Sequence, residues 1–230
     1  MFQNLKHYIR NGLYIPFLHV FMYYVTNNVF LSTIFALKMY PANYFYWFSH
    51  HYYYKNIPKQ LYFVKQFVRF TDSGHIASFI YFFFPNFYPV AYNIHFVITV
   101  GYWTGRIILK LEDKDDIFTP ENITLFENMW SYSIHILPLL LLVRELWIEP
   151  SLCKKELFTL KDLYYSYLWL FTWFFCVYIP WRLITNDYLY TVFAPKTDIK
   201  TQFFFSFFII FLIFIANSSG LIMYNTYCLT

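Results

Sequence analysis

The sequence predicts an all-α protein, a polytopic integral membrane bundle of about six transmembrane helices in which residues 1–230 form a single membrane domain. Three observations predict it. Hydrophobic residues fill 59% of the chain and charged residues only 13%, about half the roughly 25% of an average soluble domain. The apolar residues gather into runs of about 20, the length of helix that crosses a bilayer's hydrocarbon core of ~30 Å. Aromatics reach 27%, and Tyr and Trp suit the headgroup zone, where one end of the side chain is apolar and the other wet.

The runs fall at about 13–37, 71–88, 90–109, 128–148, 163–184 and 203–225. Asn27 and Asn28 interrupt the first, which shortens it or makes it irregular. Residues 41–69, with the aromatic stretch Tyr44 to Phe48 and His50-His51, are expected to lie along the membrane interface. Pro85 and Pro89 bracket Asn86-Phe-Tyr88 between the second and third runs, turn chemistry that predicts a tight helical hairpin. The charged stretch Leu111 to Glu121 lacks the glycine and ligand spacing of a calcium loop and is read as a solvated connection. Gly101 and Gly105 in the third run are spaced for close helix approach.

Lys and Arg divide six to eleven between the two sides of the six-span arrangement, so the positive-inside rule puts both termini in the lumen. The net charge of +4 comes from scattered basic residues and forms no nucleic-acid stripe. Lys6 and Arg10 precede an apolar run without a small-residue cleavage site, which reads as a retained anchor. No targeting signal points elsewhere, which favours the endoplasmic reticulum membrane. The sequon at Asn122 reports on the third loop, whereas the one at Asn217 lies inside the last run and is expected to be inaccessible. Cys153, Cys176 and Cys228 are odd in number and lack CxxC spacing, so each is expected to pack as a free thiol.

Two places carry chemistry. The second run opens with Arg69-Phe-Thr-Asp-Ser-Gly-His75. One reading is capping, with Thr71, Asp72 or Ser73 accepting from the first free amides. The other makes Thr71 a nucleophile, with Ser73 as the alternative. A hydroxyl becomes a useful nucleophile only beside a base. His135, within the apolar stretch Trp130 to Val143, is the ionisable group to question, because such groups inside spans mark functional sites by default. In the six-span arrangement the second and fourth runs start from the same face, so Thr71 and His135 share a depth. His75, four residues after Thr71, is the substitute base. His95 suits a hydrogen bond across the bundle. His50-His51 do not face one another on a helix, and no metal ligand set or cofactor motif is present in the sequence.

Four marks in order support a resemblance: Phe70-Thr71, Tyr102-Trp103, an acidic loop with Pro120, and Trp130 followed by His135 and Leu137-Pro138. From about Phe67 onward the chain resembles the androgen-induced family of multi-span threonine hydrolases. The resemblance implies a hydrolase of fatty acid esters of hydroxy fatty acids, with Thr71 as nucleophile, His135 as base, no cofactor, and membrane lipids and a lipid substrate as partners. The Asp-Ser-Gly-His after Thr71 and the tight His135 to Pro138 spacing depart from the family pattern. A small transporter or structural subunit, or a membrane acyltransferase using the same residues, are the competing expectations.

Overall fold

The computed structural model describes residues 14–44, 57–58, 61–65, 67–110 and 124–228. The basic N-terminus, the aromatic and His50-His51 stretch, the acidic loop with Pro120, Asn122 and the Trp130 side chain lie outside what it describes. Among the described residues the fold is helical, without strands.

The first expected run is two helices, α1 (Ile15–Thr26) and α2 (Val29–Tyr44), packed on one another. The break has a local cause. Asn27 takes a left-handed conformation (φ 49°), which asparagine tolerates better than most residues. The Asn28 side chain then accepts the Leu31 amide at 2.8 Å and starts α2. Two short helices therefore replace one span. Residues 41–44 of the expected interfacial segment continue α2. Lys65, in the single turn Tyr62–Lys65, is 1% exposed and pairs with Asp187 at 3.1 Å.

Helix α3 (Phe70–Phe83) and helix α4 (Tyr88–Trp103) are joined through the 3₁₀ turn Pro85–Phe87, the hairpin that the two prolines predict. Pro85 and Pro89 each occupy a first turn, where a missing amide costs nothing. Beyond Trp103, α4 passes into a π turn at Thr104–Ile108. Helix α5 (Thr124–Ile148) contains Pro138. Helix α6 starts at Leu160 behind a reciprocal cap, in which Thr159 accepts the Asp162 amide and Asp162 accepts the Thr159 amide. It runs through a π turn at Phe174–Tyr178 to Thr185 and stops at left-handed Asn186. Helix α7 is Ile199–Cys228.

Helix α4 is the centre of the bundle, touching α3, α5, α6 and α7. Val90, Ile94, Val97 and Ile98 recur at helical spacing and pack toward α6 and α7 with Leu170, Trp173, Leu212 and Ile213. Tyr88, Ala91 and Tyr92 join Ala77, Leu142, Phe158 and Tyr224 in a second core. Gly101 lies against Ile209, where a Cβ would come within 2.8 Å of its side chain. Buried Asn93 donates to Ser166 at 2.9 Å and to Asn217 at 3.0 Å, tying α4 to α6 and α7. Asn217 is thus buried and bonded, as its place in the run implies.

Among the described residues two helices, α6 with 26 residues through Thr185 and α7 with 30, are long and apolar enough to cross a membrane. At 1.5 Å per residue they reach about 39 and 45 Å, beyond the ~30 Å core. Phe203, Phe207, Phe211 and Phe214 of α7 face outward, each more than half exposed. Helix α3, with 14 residues, extends only about 21 Å.

The cysteine expectation is corrected: Cys153 and Cys228 form a disulfide across 75 residues, leaving Cys176 free and exposed. An odd count cannot exclude one pair. The bond joins the loop after α5 to the end of α7. Closing a loop of this size stabilises a fold by about 4 kcal/mol in the chain-entropy account. Cys153→Ser is expected to lower the thermal midpoint. Protease cleavage between residues 153 and 228 should leave wild-type fragments joined on a non-reducing gel and separate after reduction; fragments that separate without reductant would refute the link.

Candidate active site

The site is built at the start of α3, which is buried and must have its first amides satisfied within the protein. The Arg69 amide donates to Asp72 Oδ2 at 3.2 Å, and the Phe70 amide to the Tyr190 hydroxyl at 2.7 Å. The Ser73 amide reaches Arg69 O at 3.1 Å. Two indoles of α6 brace the same turn: Trp173 Nε1 donates to Val68 O at 2.9 Å, and Trp169 Nε1 to Ser73 Oγ at 3.3 Å. Capping therefore falls to Asp72 and Tyr190.

Thr71 stands apart from that task. Its side chain is nearly buried, and its Oγ1 lies 3.4 Å from His135 Nε2 on α5. This is the loose end of hydrogen-bond reach, which unliganded sites often show before substrate tightens them. Ser73 is differently occupied, because its hydroxyl donates to Phe70 O at 2.7 Å while accepting from Trp169. Its proton is committed to the helix backbone. The structure thus brings Thr71, and not Ser73, to His135.

Helix α4 holds His135 from the other side. The Tyr102 ring stacks flat on the imidazole, with centroids 3.7 Å apart and planes 10° from parallel. The Thr99 hydroxyl donates to the His135 carbonyl. One contact fixes the plane of the ring and the other the backbone beneath it.

The other histidines of the region form a second layer. His95 is buried, with Nε2 2.8 Å from Ser78 Oγ, and its ring stands 5.9 Å from that of His75. Gly74 leaves the space that ring needs: a Cβ there would lie 3.0 Å from His95 Cε1 and 2.5 Å from Ile98 Cδ1. His95 thereby bridges α3 and α4. Among the described residues no group of three His, Cys, Asp or Glu side chains is placed to hold a metal ion.

No family model, no curated protein and no solved structure matches the chain.

Behind the site, the buried pair Lys65 and Asp187 joins the segment before α3 to the loop after α6, and Trp181 Nε1 donates to the same carboxylate oxygen at 3.2 Å. That loop also carries Tyr190. The sequence showed none of these partners, because Phe70 and Tyr190 are 120 residues apart and no local pattern links them. The abundance of Trp and Tyr was visible, whereas their pairing with single backbone groups was not. Lys65→Ala leaves the Asp187 charge buried and is expected to cost about 3–5 kcal/mol. The Lys65→Met/Asp187→Leu pair should recover most of that loss in thermal unfolding. Equal melting of Lys65→Ala and wild type would show that the pair does not hold the loop.

Proposed function

We propose that this chain is a multi-pass membrane hydrolase of lipid esters, with Thr71 as nucleophile and His135 as general base. The observation that carries the reading is the 3.4 Å approach of Thr71 Oγ1 to His135 Nε2 across two helices, with the His ring stacked on Tyr102. Fatty acid esters of hydroxy fatty acids are the substrate class that the resemblance implies.

The chemistry follows from those two groups. His135 Nε2 takes the Thr71 proton as Oγ1 attacks the ester carbonyl carbon, giving a tetrahedral oxyanion. Thr71 lies in the first turn of α3, the positive end of the helix dipole, which favours that negative charge. Collapse breaks the bond to the ester oxygen, and His135 returns the proton to the departing hydroxyl. Water then attacks the Thr71 acyl ester, His135 accepts a proton from it, and the carboxylic acid is released while Thr71 recovers its hydrogen.

In this reading the apolar runs are inserted in the endoplasmic reticulum membrane, the first of them as the α1–α2 pair, and substrate enters from the bilayer. Two helices of membrane-spanning length and the outward phenylalanines of α7 support insertion. The Cys153–Cys228 bond supports an orientation, because disulfides persist in oxidising compartments. Its two cysteines lie in the fourth loop and at the C-terminus, the side that the positive-inside count assigns to the lumen. Thr71 and His135 belong to the other end of the bundle.

The full chain, purified in detergent, is expected to react with an alkyl fluorophosphonate and to hydrolyse a fatty acid ester of a hydroxy fatty acid. Thr71→Ala should abolish both. His135→Ala should lower kcat by about 10²- to 10⁴-fold, the range of a general base, with the protein still inserted. Labelling and turnover that survive Thr71→Ala would sink the assignment, and acyl transfer to an added alcohol in preference to water would make the enzyme a transferase.

A further inference from the structure

At the end of the bundle away from Thr71, α6 and α7 and the loop before α6 enclose an open groove of about 940 Å³. Its mouth carries Lys154, Lys155 and Lys161, with Glu156 as the one carboxylate among its lining residues. Its wall carries Leu163 of α6 and Phe214 and Leu221 of α7. Phe214 and Leu221 remain 51% and 39% exposed although they lie in a packed bundle, so the groove leaves apolar area uncovered. They stand two turns apart, about 10 Å along the helix. The outward row of Phe211, Phe207 and Phe203 continues in the same direction toward the other end of α7.

A cationic mouth leading into an apolar wall is complementary to one kind of molecule: an anion joined to a long hydrocarbon. A soluble anion would use the lysines and leave the wall bare, and a neutral lipid would use the wall and leave three positive charges against the single carboxylate of Glu156. Both walls come from helices that are long and apolar enough to cross a membrane, and on the proposed insertion the groove, near the start of α6 and the end of α7, would meet the bilayer at headgroup depth. Two of the lysines have side-chain partners, and the third adjoins a disulfide. Lys155 Nζ donates to Asn86 Oδ1 at 2.7 Å, Lys161 lies over the Tyr165 ring at 5.7 Å, and Cys153 beside Lys154 is bonded to the end of α7. The floor is rigid, since Asn217 donates to Phe158 O at 2.9 Å and the Phe158 ring fills the space beside Gly220.

We propose that this groove is a binding site for an anionic phospholipid, with the headgroup phosphate among Lys154, Lys155 and Lys161 and one acyl chain along Leu163, Phe214 and Leu221. The site is separate from Thr71 and His135 and stands whether or not they are catalytic. Basic pockets between membrane helices recognise lipid headgroups in this way, each lysine contributing about fivefold in affinity.

Native mass spectrometry of the full chain in a neutral detergent, with added phosphatidylglycerol or phosphatidylcholine, tests it. Wild type is expected to retain phosphatidylglycerol at least tenfold better, from about fivefold per lysine. The K154Q/K161Q variant, which changes two exposed side chains and leaves Lys155 in place, should cut the preference to about fivefold, and K154Q and K161Q singly should each lose part of it. L221W fills the wall without touching the lysines and should lower retention of phosphatidylglycerol. Equal retention of the two lipids by wild type, or an unchanged preference in K154Q/K161Q, overturns the proposal. Inorganic phosphate that displaces phosphatidylglycerol at millimolar concentration, with L221W binding as wild type does, assigns the lysines to a soluble anion and also overturns it.

Discussion

A helix that begins inside a protein exposes backbone amides with no partner in the helix itself, and the start of α3 is such a place. Leaving those groups unsatisfied costs about 1–3 kcal/mol each. The protein answers the Phe70 amide with the Tyr190 hydroxyl from far along the chain, and the Trp173 and Trp169 indoles brace the same turn by donating to Val68 O and Ser73 Oγ. Because Asp72 and Tyr190 do the capping, the Thr71 hydroxyl is left to meet His135. The arrangement of the site depends on how this one helix end is satisfied.

The opposite half of the site depends on α4. This helix packs against both helices that carry the candidate pair, so one rigid element sets the distance between them. Tyr102 and Thr99 act on the His135 ring and backbone from that surface, three residues apart on one helical face. Farther along α4, His95 and Ser78 close the contact with α3, and Gly74 provides the room. Bonds of this kind are what allow His95 and Ser78 to be buried.

The sequence made the larger pattern readable where physics is local. Apolar runs and bracketing prolines announced the helices and the α3–α4 hairpin, and Thr71 and His135, each near the start of an apolar run, do approach one another. Asn27 showed that the first run was irregular, but a left-handed residue that splits it into two helices depends on backbone geometry that composition does not encode. Lys65 read as a topology signal, whereas it is buried against Asp187, a partner set by the tertiary fold. Cys153 and Cys228 are separated by 75 residues, and only the return of α7 to the loop after α5 makes them neighbours. The role of Tyr190 was invisible for the same reason.

The π turn of α6 sets the angular phase of three tryptophans. An α-helix advances about 100° per residue, so Trp173 lies about 40° from Trp169, while Trp181 would lie about 120° away if the helix were regular. The wider turn at Phe174–Tyr178 absorbs one extra residue and rotates the remainder of the helix back by about 100°. Trp181 then falls within about 20° of Trp169, so that all three indoles look out along one edge of the helix. From that edge they reach Ser73, Val68 and Asp187. The irregularity lets two indoles meet the start of α3 while the third holds the Asp187 carboxylate that pairs with Lys65.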